Sequence, residues 1–209
     1  MNAYIFCWSE SDRHPGYDIS SGDLVIAADS GFLYAQRCGV TPDIVLGDFD
    51  SIDGSSVPSG FDRITLPREK DDTDALYAVK LALSKGCNGI YLAGGMGGRL
   101  DHTLGAVSVL RYASEKGAEC GMDDGYTRVF YVRSGQTAEM KYDPEVRYIS
   151  FFPSESASTI TVKGLHYTLD GYVLRASDSI CVSNEFNPGV SGSVTAEKGD
   201  IIAVMIRRS

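Results

Sequence analysis

The sequence predicts an α/β domain with a parallel, Rossmann-like sheet, followed by a small antiparallel β-sandwich. In residues 1–133, short apolar runs alternate with stretches of helical periodicity, which is the pattern of a parallel sheet crossed by helices. In residues 134–209, only short β-rich runs separated by turn signals occur, and no helix of useful length fits. We therefore place a domain boundary near Ser134-Gly135.

Apolar runs that end in turn residues define the strands of the first domain. They are residues 4–8, 24–28, 44–46, 63–66 and 89–93. In a parallel sheet the carboxyl ends of such strands meet at one edge, where open α/β sheets bind their ligands.

Helical spacing predicts two helices in the same domain. We expect the first to end at Lys85-Gly86, and the second to run from near Asp101 to Gly117. The inward faces are predicted to be Ala75, Leu76, Val79, Ala82 and Leu83 in the first helix, and Leu104, Val107, Leu110 and Ala113 in the second.

The second domain is predicted from β-rich runs at residues 159–162, 172–174, 180–182, 193–196 and 201–206. Turn signals separate these runs at Asp170-Gly171, Asn187-Pro188-Gly189 and Lys198-Gly199-Asp200. This pattern favours a small antiparallel sandwich or barrel.

Composition argues against two classes of partner. The formal net charge of −9 over 209 residues is opposite to the Lys and Arg surplus that neutralises a nucleic-acid strand, so we expect no nucleic-acid partner. No apolar run approaches the roughly 20 residues needed to cross a bilayer, and the first eight residues resemble a strand rather than a signal peptide. We expect no membrane partner.

The five cysteines, at positions 7, 38, 87, 120 and 181, occur singly and without metal-ligand spacing. A dispersed, odd set of this kind is typical of reduced thiols rather than of disulfides or a zinc site. The sequence therefore predicts a soluble, cytoplasmic protein.

The first acidic loop, Gly47-Asp48-Phe49-Asp50-Ser51, follows the strand at residues 44–46. In a turning segment, residues two apart can point the same way, so Asp48 and Asp50 could bind one Mg²⁺ ion while Phe49 turns into the core. A helix-capping loop with Asp and Ser as turn residues explains the pattern as well, and an isolated D-x-D pattern favours that alternative.

The second acidic loop, Asp71-Asp72-Thr73-Asp74, lies at a helix start. The helix dipole favours carboxylates there, and Thr73 or Asp72 would serve as the N-cap. Three carboxylates exceed what one helix start needs, and they repel one another unless a cation compensates. A metal shared with Asp48 and Asp50 explains the crowding better than capping alone.

The third loop, residues 94–102, places four glycines before Arg99. Glycines let backbone N–H groups approach an anion, and the helix that follows adds its positive end. The spacing matches neither the dinucleotide fingerprint nor a Walker A loop. Arg99 supplies a donor fork suited to a phosphate, whereas His102 is explained equally well as a polar residue at a helix start.

The fourth element, Asp29-Ser30-Gly31, again follows an apolar strand. An ordinary strand-to-helix turn with Ser30 or Asp29 as N-cap explains it. Its position adds a further acidic strand end to the same rim of the sheet.

Taken in order, these elements resemble the thiamine pyrophosphokinase family. The resemblance continues into the second domain at Gly164-Leu165-His166-Tyr167-Thr168-Leu169 and Val182-Ser183-Asn184-Glu185. It implies an α/β catalytic domain at residues 1–133, which binds nucleotide and metal, and a β-sandwich at residues 134–209 for thiamine binding and dimerisation. It also implies transfer of pyrophosphate from Mg·ATP to the hydroxyethyl oxygen of thiamine, giving thiamine diphosphate and AMP, in a homodimer whose thiamine site lies where the subunits meet.

The resemblance also implies roles for single residues. Asp48, Asp50, Asp71 and Asp74 would hold Mg²⁺ and, with Arg99, form the catalytic set, and either Asp71 or Asp74 would accept the alcohol proton. Asp29 would belong to the same acidic pocket. Those implied to border the nucleotide are Gly95, Gly97, Gly98, Arg99 and Asp101, and those implied to contact thiamine, from the partner subunit, are Ser183 and Asn184.

The chain departs from the family pattern at one motif, and two other functions are compatible with part of the sequence. The family usually has Asp-Gly-Gly-Ala-Asn where this chain has Asp29-Ser30-Gly31-Phe32-Leu33, so one asparagine is missing. A nucleotide-sugar transferase would use Asp48 and Asp50 but would leave the glycine loop without a role. A catalytically silent nucleotide-binding dimer would be favoured by loss of the motif carboxylates, and none is lost.

Overall fold

The computed structural model describes residues 1–48, 62–67 and 71–208. They form two compact units, Met1–Gly125 (unit 1) and Tyr126–Ser209 (unit 2). The predicted fold class is confirmed, because unit 1 has a parallel sheet with helices and unit 2 has antiparallel strands. The sequence analysis puts the boundary near Ser134, but in the structure the units divide between Gly125 and Tyr126. The difference arises because residues 127–132 form a strand that pairs within unit 2.

Unit 1 alternates strands and helices along most of its length. Its elements are β1 (Asn2–Phe6), β2 (Leu24–Ala28), α1 (Gly31–Arg37), β3 (Ile44–Gly47), β4 (Asp62–Thr65), α2 (Asp74–Ser84), β5 (Gly89–Ala93), α3 (Leu100–Glu115) and β6 (Glu119–Asp123). The five predicted strands are all present. Helix α1 and strand β6 are additional, and β6 was missed because Glu-Cys-Gly-Met-Asp has little β propensity.

The strands of unit 1 are arranged in the order β4-β3-β2-β1-β5-β6, and every neighbouring pair is parallel. The sheet grows in one direction from β1 through β2 and β3, and in the other through β5 and β6. Parallel sheets bind ligands outside the carboxyl ends of the strands at such a reversal. The topology therefore predicts a ligand site beside the segment that follows β1.

Both faces of the central strands are buried. Phe6, Val25 and Val45 pack with Phe32 and Tyr34 of α1 in one cluster. On the opposite face, Ile5, Ile26 and Leu46 are fully buried, and α2 contacts β1, β2 and β3. Coverage on both sides fixes the strand ends relative to one another.

The limits of α2 and α3 agree with the prediction, and Leu110 and Ala113 of α3 are buried as predicted, but Leu104 is not. The helices end at Lys85-Gly86 and Lys116-Gly117 as expected. Leu104, which was predicted to point inward, is 59% exposed, and Ala106 and Val109 are buried instead. The prediction was wrong because nine residues of helix turn through about 900°, so Leu104 and Ala113 lie on opposite sides.

Unit 2 contains two antiparallel sheets. Its strands are β7 (Thr127–Val132), β8 (Thr137–Met140), β9 (Val146–Pro153), β10 (Ala157–Lys163), β11 (Leu169–Arg175), β12 (Gly192–Lys198) and β13 (Ile201–Arg207). One sheet has the order β11-β10-β12-β8, and in the other β13 pairs with both β7 and β9. A single apolar cluster, including Ile149, Phe151, Ile160 and Val194, draws on both sheets.

The predicted strands at residues 159–162, 172–174, 193–196 and 201–206 are confirmed, whereas residues 180–182 form a turn. This segment follows the edge of β9, since the Phe151 N–H donates to the Cys181 carbonyl at 2.9 Å. Of its three residues, Cys181 is buried in the core, whereas Ile180 and Val182 are exposed. Among the helices that the structure describes, none is long and apolar enough to span a lipid bilayer.

Replacing Gly31 by alanine tests how tightly α1 packs on the end of β1. A Cβ atom at Gly31 would lie 2.0 Å from the Phe6 carbonyl oxygen and 2.9 Å from the Cys7 Cα, which are backbone atoms that cannot swing aside. We expect Gly31→Ala to lower the free energy of unfolding by about 1–3 kcal/mol, measured by urea titration. Gly22→Ala is the matched control, because its Cβ would have no neighbour within 4 Å. Equal stability of the two variants would contradict this packing.

Candidate active site

Asp29 and Asp48 lie at neighbouring strand ends on the rim of the unit 1 sheet. The Asp29 N–H donates to the Leu46 carbonyl at 2.7 Å, and a Cβ at Gly47 would lie 3.1 Å from the Asp29 Cα. The close approach brings Asp48, the next residue after Gly47, beside the β2 end. Asp29 has a φ of 48°, a left-handed conformation that costs roughly 1 kcal/mol in a non-glycine residue and is often found at functional sites.

The start of α2 separates its three aspartates into different roles. The Thr73 Oγ1 accepts from the Leu76 N–H at 3.2 Å, so Thr73 is the N-cap. The Asp72 carboxylate binds the Lys80 ammonium at 2.6 Å and is thereby directed along the helix. Asp71, which is exposed, and Asp74, which is half-buried, remain the two predicted ligands of this loop.

Asp74 lies close enough to the end of β1 to affect Cys7. Burial and, to a smaller extent, the negative charge of Asp74 raise the pKa of the Cys7 thiol to about 12. A thiol with such a pKa stays protonated at neutral pH, and only a thiolate acts as a nucleophile or metal ligand. The chemistry of this rim therefore comes from carboxylates and not from the cysteine.

The glycine loop at residues 94–98 lies against the segment after β1. The Gly95 N–H donates to the Trp8 carbonyl at 2.9 Å, and the Gly94 N–H donates to the Asp123 carbonyl at 2.9 Å. Gly94 has a φ of 84°, and a Cβ there would lie 2.9 Å from the Cys7 carbonyl oxygen. Only glycine fits this position, and the loop is held at the point where the strand order reverses.

Arg99 and Asp101 form an exposed bidentate ion pair at the start of α3. The Arg99 Nε and Nη2 atoms lie 3.2 and 2.5 Å from the two carboxylate oxygens of Asp101. Hydrogen bonding and charge from Arg99 lower the pKa of Asp101, and the same bonds raise the pKa of Arg99. Both groups are charged at neutral pH, and an exposed pair of this kind is weak enough for a phosphate to compete for the guanidinium.

The described carboxylates have the chemistry of a Mg²⁺ site but do not complete one. Within residues 1–48, 62–67 and 71–208, no three Asp, Glu, His or Cys side chains are arranged to hold a metal ion. Asp50, one of the four predicted ligands, lies outside the described residues. Asp48 and Asp74 still offer hard oxygen donors on the same rim, which is the donor type that Mg²⁺ prefers. The metal site stays a prediction.

A further acidic turn at this rim was not predicted from the sequence. Asp123, at the end of β6, is fully buried, and its carboxylate accepts from the Gly125 N–H at 2.7 Å. The sequence signal that could have found it is Asp123-Asp124-Gly125, an acidic turn at the end of a buried strand, similar to Asp29-Ser30-Gly31 after β2. Trp8, which contacts the glycine loop, was assigned only to a strand.

In unit 2, the side chain of Asn184 is engaged in fixing a loop. Its Oδ1 accepts from the Tyr167 and Glu185 N–H groups at 3.0 and 2.9 Å, and its Nδ2 donates to the Tyr167 carbonyl at 2.7 Å. Ser183 is exposed, with a φ of 63°, and its N–H donates to the Ser150 Oγ at 3.0 Å. The predicted contact of these two residues with thiamine stays a prediction.

A cleft of about 670 Å³ opens next to this loop in unit 2. It is lined by aromatic, charged and amide side chains, among them Tyr142, Arg147, Tyr148, His166, Glu185, Phe186, Asn187 and Arg208. Tyr142 and Phe186 make an edge-to-face contact with ring centroids 5.7 Å apart. The cleft has the size of a small-molecule site and carries groups of both charges.

Comparison with known proteins decides the family. A family model described as the thiamin pyrophosphokinase catalytic domain matches residues 18–122, and one described as the thiamin pyrophosphokinase vitamin B1 binding domain matches residues 137–201. The thiamine pyrophosphokinase of Bacillus subtilis (strain 168) is 30% identical over 189 residues, which are 88% of this chain and 86% of that protein. The chain belongs to the thiamin pyrophosphokinase family.

Solved structures of thiamin pyrophosphokinases have the same fold. The crystal structure of the Bacillus subtilis enzyme superimposes with a TM-score of 0.86 at 26% identity, over 100% of both chains. The Candida albicans protein gives 0.73 at 15% identity, over 98% of this chain and 88% of that one, which shows the fold alone. Asp29, Asp48, Asp71 and Asp74 fall within the catalytic-domain match, and Ser183 and Asn184 fall within the vitamin B1 binding match.

Proposed function

We propose that this chain transfers a pyrophosphoryl group from ATP to the hydroxyethyl oxygen of thiamine, giving thiamine diphosphate and AMP. This is the reaction of the thiamin pyrophosphokinase family, whose members are kinase-type transferases of thiamine diphosphate biosynthesis. The observation that carries the proposal is that matches to both the catalytic and the vitamin B1 binding domain occur in one chain, with a carboxylate rim beside the glycine loop.

The reaction calls mainly for alignment and neutralisation of charge. The thiamine oxygen attacks the β-phosphorus of ATP, the bond from that phosphorus to the α,β-bridging oxygen breaks, and AMP leaves with the bridging oxygen. The N–H groups of the glycine loop and the guanidinium of Arg99 would bind phosphate oxygens, with Gly95, Gly97, Gly98 and Asp101 bordering the nucleotide. Mg²⁺, held by Asp48, Asp50, Asp71 and Asp74, would neutralise charge on the phosphates.

Carboxylates of the same rim would also act on the other substrate. Either Asp71 or Asp74 would accept the proton of the attacking alcohol, because both lie at the α2 start and neither is engaged by Lys80 in the way that Asp72 is. Asp29 would complete an acidic pocket, and the cationic thiazolium of thiamine is attracted to negative charge. The acid–base step needs no other titratable group.

We propose further that the active protein is a cytoplasmic homodimer. Thiamine would bind where two subunits meet, with Ser183 and Asn184 supplied by the partner's vitamin B1 binding domain. All five cysteines are free, which is the usual state of thiols in a reducing compartment.

A turnover assay tests the proposed reaction directly. With purified protein, ATP, Mg²⁺ and thiamine, we expect AMP and thiamine diphosphate to appear in equal amounts, and EDTA to stop both. ADP in place of AMP would mean that a single phosphoryl group is transferred. Binding of ATP without any product would support the silent nucleotide-binding dimer.

Single carboxylate substitutions test the metal assignment. We expect Asp48→Asn and Asp74→Asn each to lower kcat by about 10³-fold or more without loss of the fold, because each removes an anionic ligand of the Mg²⁺ ion that would balance the phosphates. Asp72→Asn is the matched control, since its carboxylate is bonded to Lys80 and should matter little for kcat. Near-normal turnover of both Asp48→Asn and Asp74→Asn would overturn the assignment.

The shared site is tested by mixing two inactive variants. Sedimentation should give a dimer at micromolar concentration. Asp48→Asn is defective in unit 1, and a variant at Ser183 would be defective in unit 2, so a heterodimer of the two contains one intact site. We expect the mixture to regain about a quarter of the wild-type activity, the statistical share for random exchange of subunits. A monomer, or a mixture as inactive as its components, would count against the shared site.

A further inference from the structure

We propose that Trp8 is a positioning residue that holds the glycine loop, residues 94–98, in its nucleotide-binding conformation. This inference rests on the proposal that the loop binds ATP. Trp8 precedes residues 18–122, which the catalytic-domain model matches, so the assignment comes from the contacts of this chain alone.

The backbone of Trp8 fixes the beginning of the loop. The Trp8 carbonyl accepts the Gly95 N–H at 2.9 Å. A Cβ at Gly94 would lie 3.0 Å from the same carbonyl oxygen, so the two backbones touch. The loop therefore starts from an anchored point on the segment after β1.

The indole of Trp8 fixes the end of the loop. A Cβ at Gly98, which has a φ of 58°, would lie 2.7 Å from Cη2 and 3.2 Å from Cζ3 of the indole. The ring edge thus occupies the space that a side chain at residue 98 would need. At Gly97, with a φ of 85°, a Cβ would have no neighbour within 4 Å. The two adjacent glycines therefore differ in their surroundings, because Gly97 faces open space and Gly98 faces Trp8.

Trp8 is itself held in place. The next residue, Ser9, is 3% exposed, its carbonyl accepts from the Arg37 Nη2 at 2.5 Å, and its Oγ accepts from the Ser11 N–H at 3.1 Å. These bonds fix the backbone from which the indole projects. Trp8 remains half-buried, so its ring also forms part of the surface beside the loop.

Holding the loop matters because glycine has more backbone freedom to lose than any other residue. A loop with four glycines that moved freely would have to be ordered when the nucleotide binds, and that ordering weakens binding. A rigid indole against Gly98 removes part of this cost in advance. Loss of Trp8 should therefore raise the KM for ATP and leave kcat nearly unchanged.

The first test measures nucleotide affinity in Trp8 variants. The probe is the α,β-methylene analogue of ATP, which cannot react because the bond that breaks is replaced, and its Kd is measured by calorimetry. We expect Trp8→Ala to weaken binding about tenfold, and Trp8→Phe to weaken it by a smaller factor because it keeps an aromatic ring but lacks the outer atoms that meet Gly98. Circular dichroism checks that each variant is folded. Wild-type affinity in folded Trp8→Ala would overturn the inference.

The second test uses the difference between Gly97 and Gly98. Phenylalanine lacks the outer indole atoms that Gly98 meets, so Trp8→Phe should relieve the clash in Gly98→Ala. We expect Gly98→Ala to lose about tenfold less affinity in the Trp8→Phe background than in the wild type. Gly97→Ala should lose the same factor in both backgrounds, because it faces open space. Equal losses for Gly98→Ala in the two backgrounds would contradict contact between loop and indole, and this comparison stands even if Trp8→Ala does not fold.

The third test uses Trp8 as a reporter, because it is the only tryptophan of the chain. Titration with the analogue should change its fluorescence, with half-saturation at the calorimetric Kd. Failure of the analogue to bind the wild-type protein at all would overturn the proposed function and this inference together. If the analogue binds but does not change the fluorescence of the wild-type protein, and if the Trp8 variants bind it with wild-type affinity, this inference alone would be overturned.

Discussion

The carboxyl end of β1 is the point on which the candidate site of unit 1 depends. Gly31 at the start of α1 would place a Cβ against the Phe6 carbonyl, and Gly94 after β5 would place one against the Cys7 carbonyl. Backbone can approach backbone this closely only where there is no side chain. The strand end is thereby clamped between a helix start and the glycine loop, at the reversal of strand order where parallel sheets bind ligands.

That clamp determines which charges face one another. At the starts of α2 and α3, Asp72 is paired with Lys80 and Asp101 with Arg99, and both pairs are at least partly exposed to solvent. Asp48 follows β3 and Asp74 begins α2, and Asp74 is near enough to raise the pKa of Cys7. The left-handed backbone of Asp29 lies in the same region.

In unit 2, Asn184 has a structural role in addition to the thiamine contact that the resemblance implies. The resemblance implies that Asn184 contacts thiamine, and in the structure its amide makes three hydrogen bonds to backbone groups of Tyr167 and Glu185. A buried amide with these partners cannot be replaced without leaving polar groups unsatisfied. The requirement for asparagine at this position therefore has a structural cause in addition to any role in binding.

The sequence by itself determined the parallel sheet of unit 1, the antiparallel strands of unit 2, the ends of α2 and α3, and the order of acidic and glycine loops that indicates the family. These features are local, because they depend on apolar periodicity, on turn residues and on the spacing of neighbours along the chain. Only the tertiary structure decided that Leu104 is exposed, that residues 180–182 form a turn, and that Trp8 lies against Gly98. Residues 8 and 98 are brought together by the parallel pairing of β1 with β5, and no local pattern encodes a contact across so long a stretch of chain.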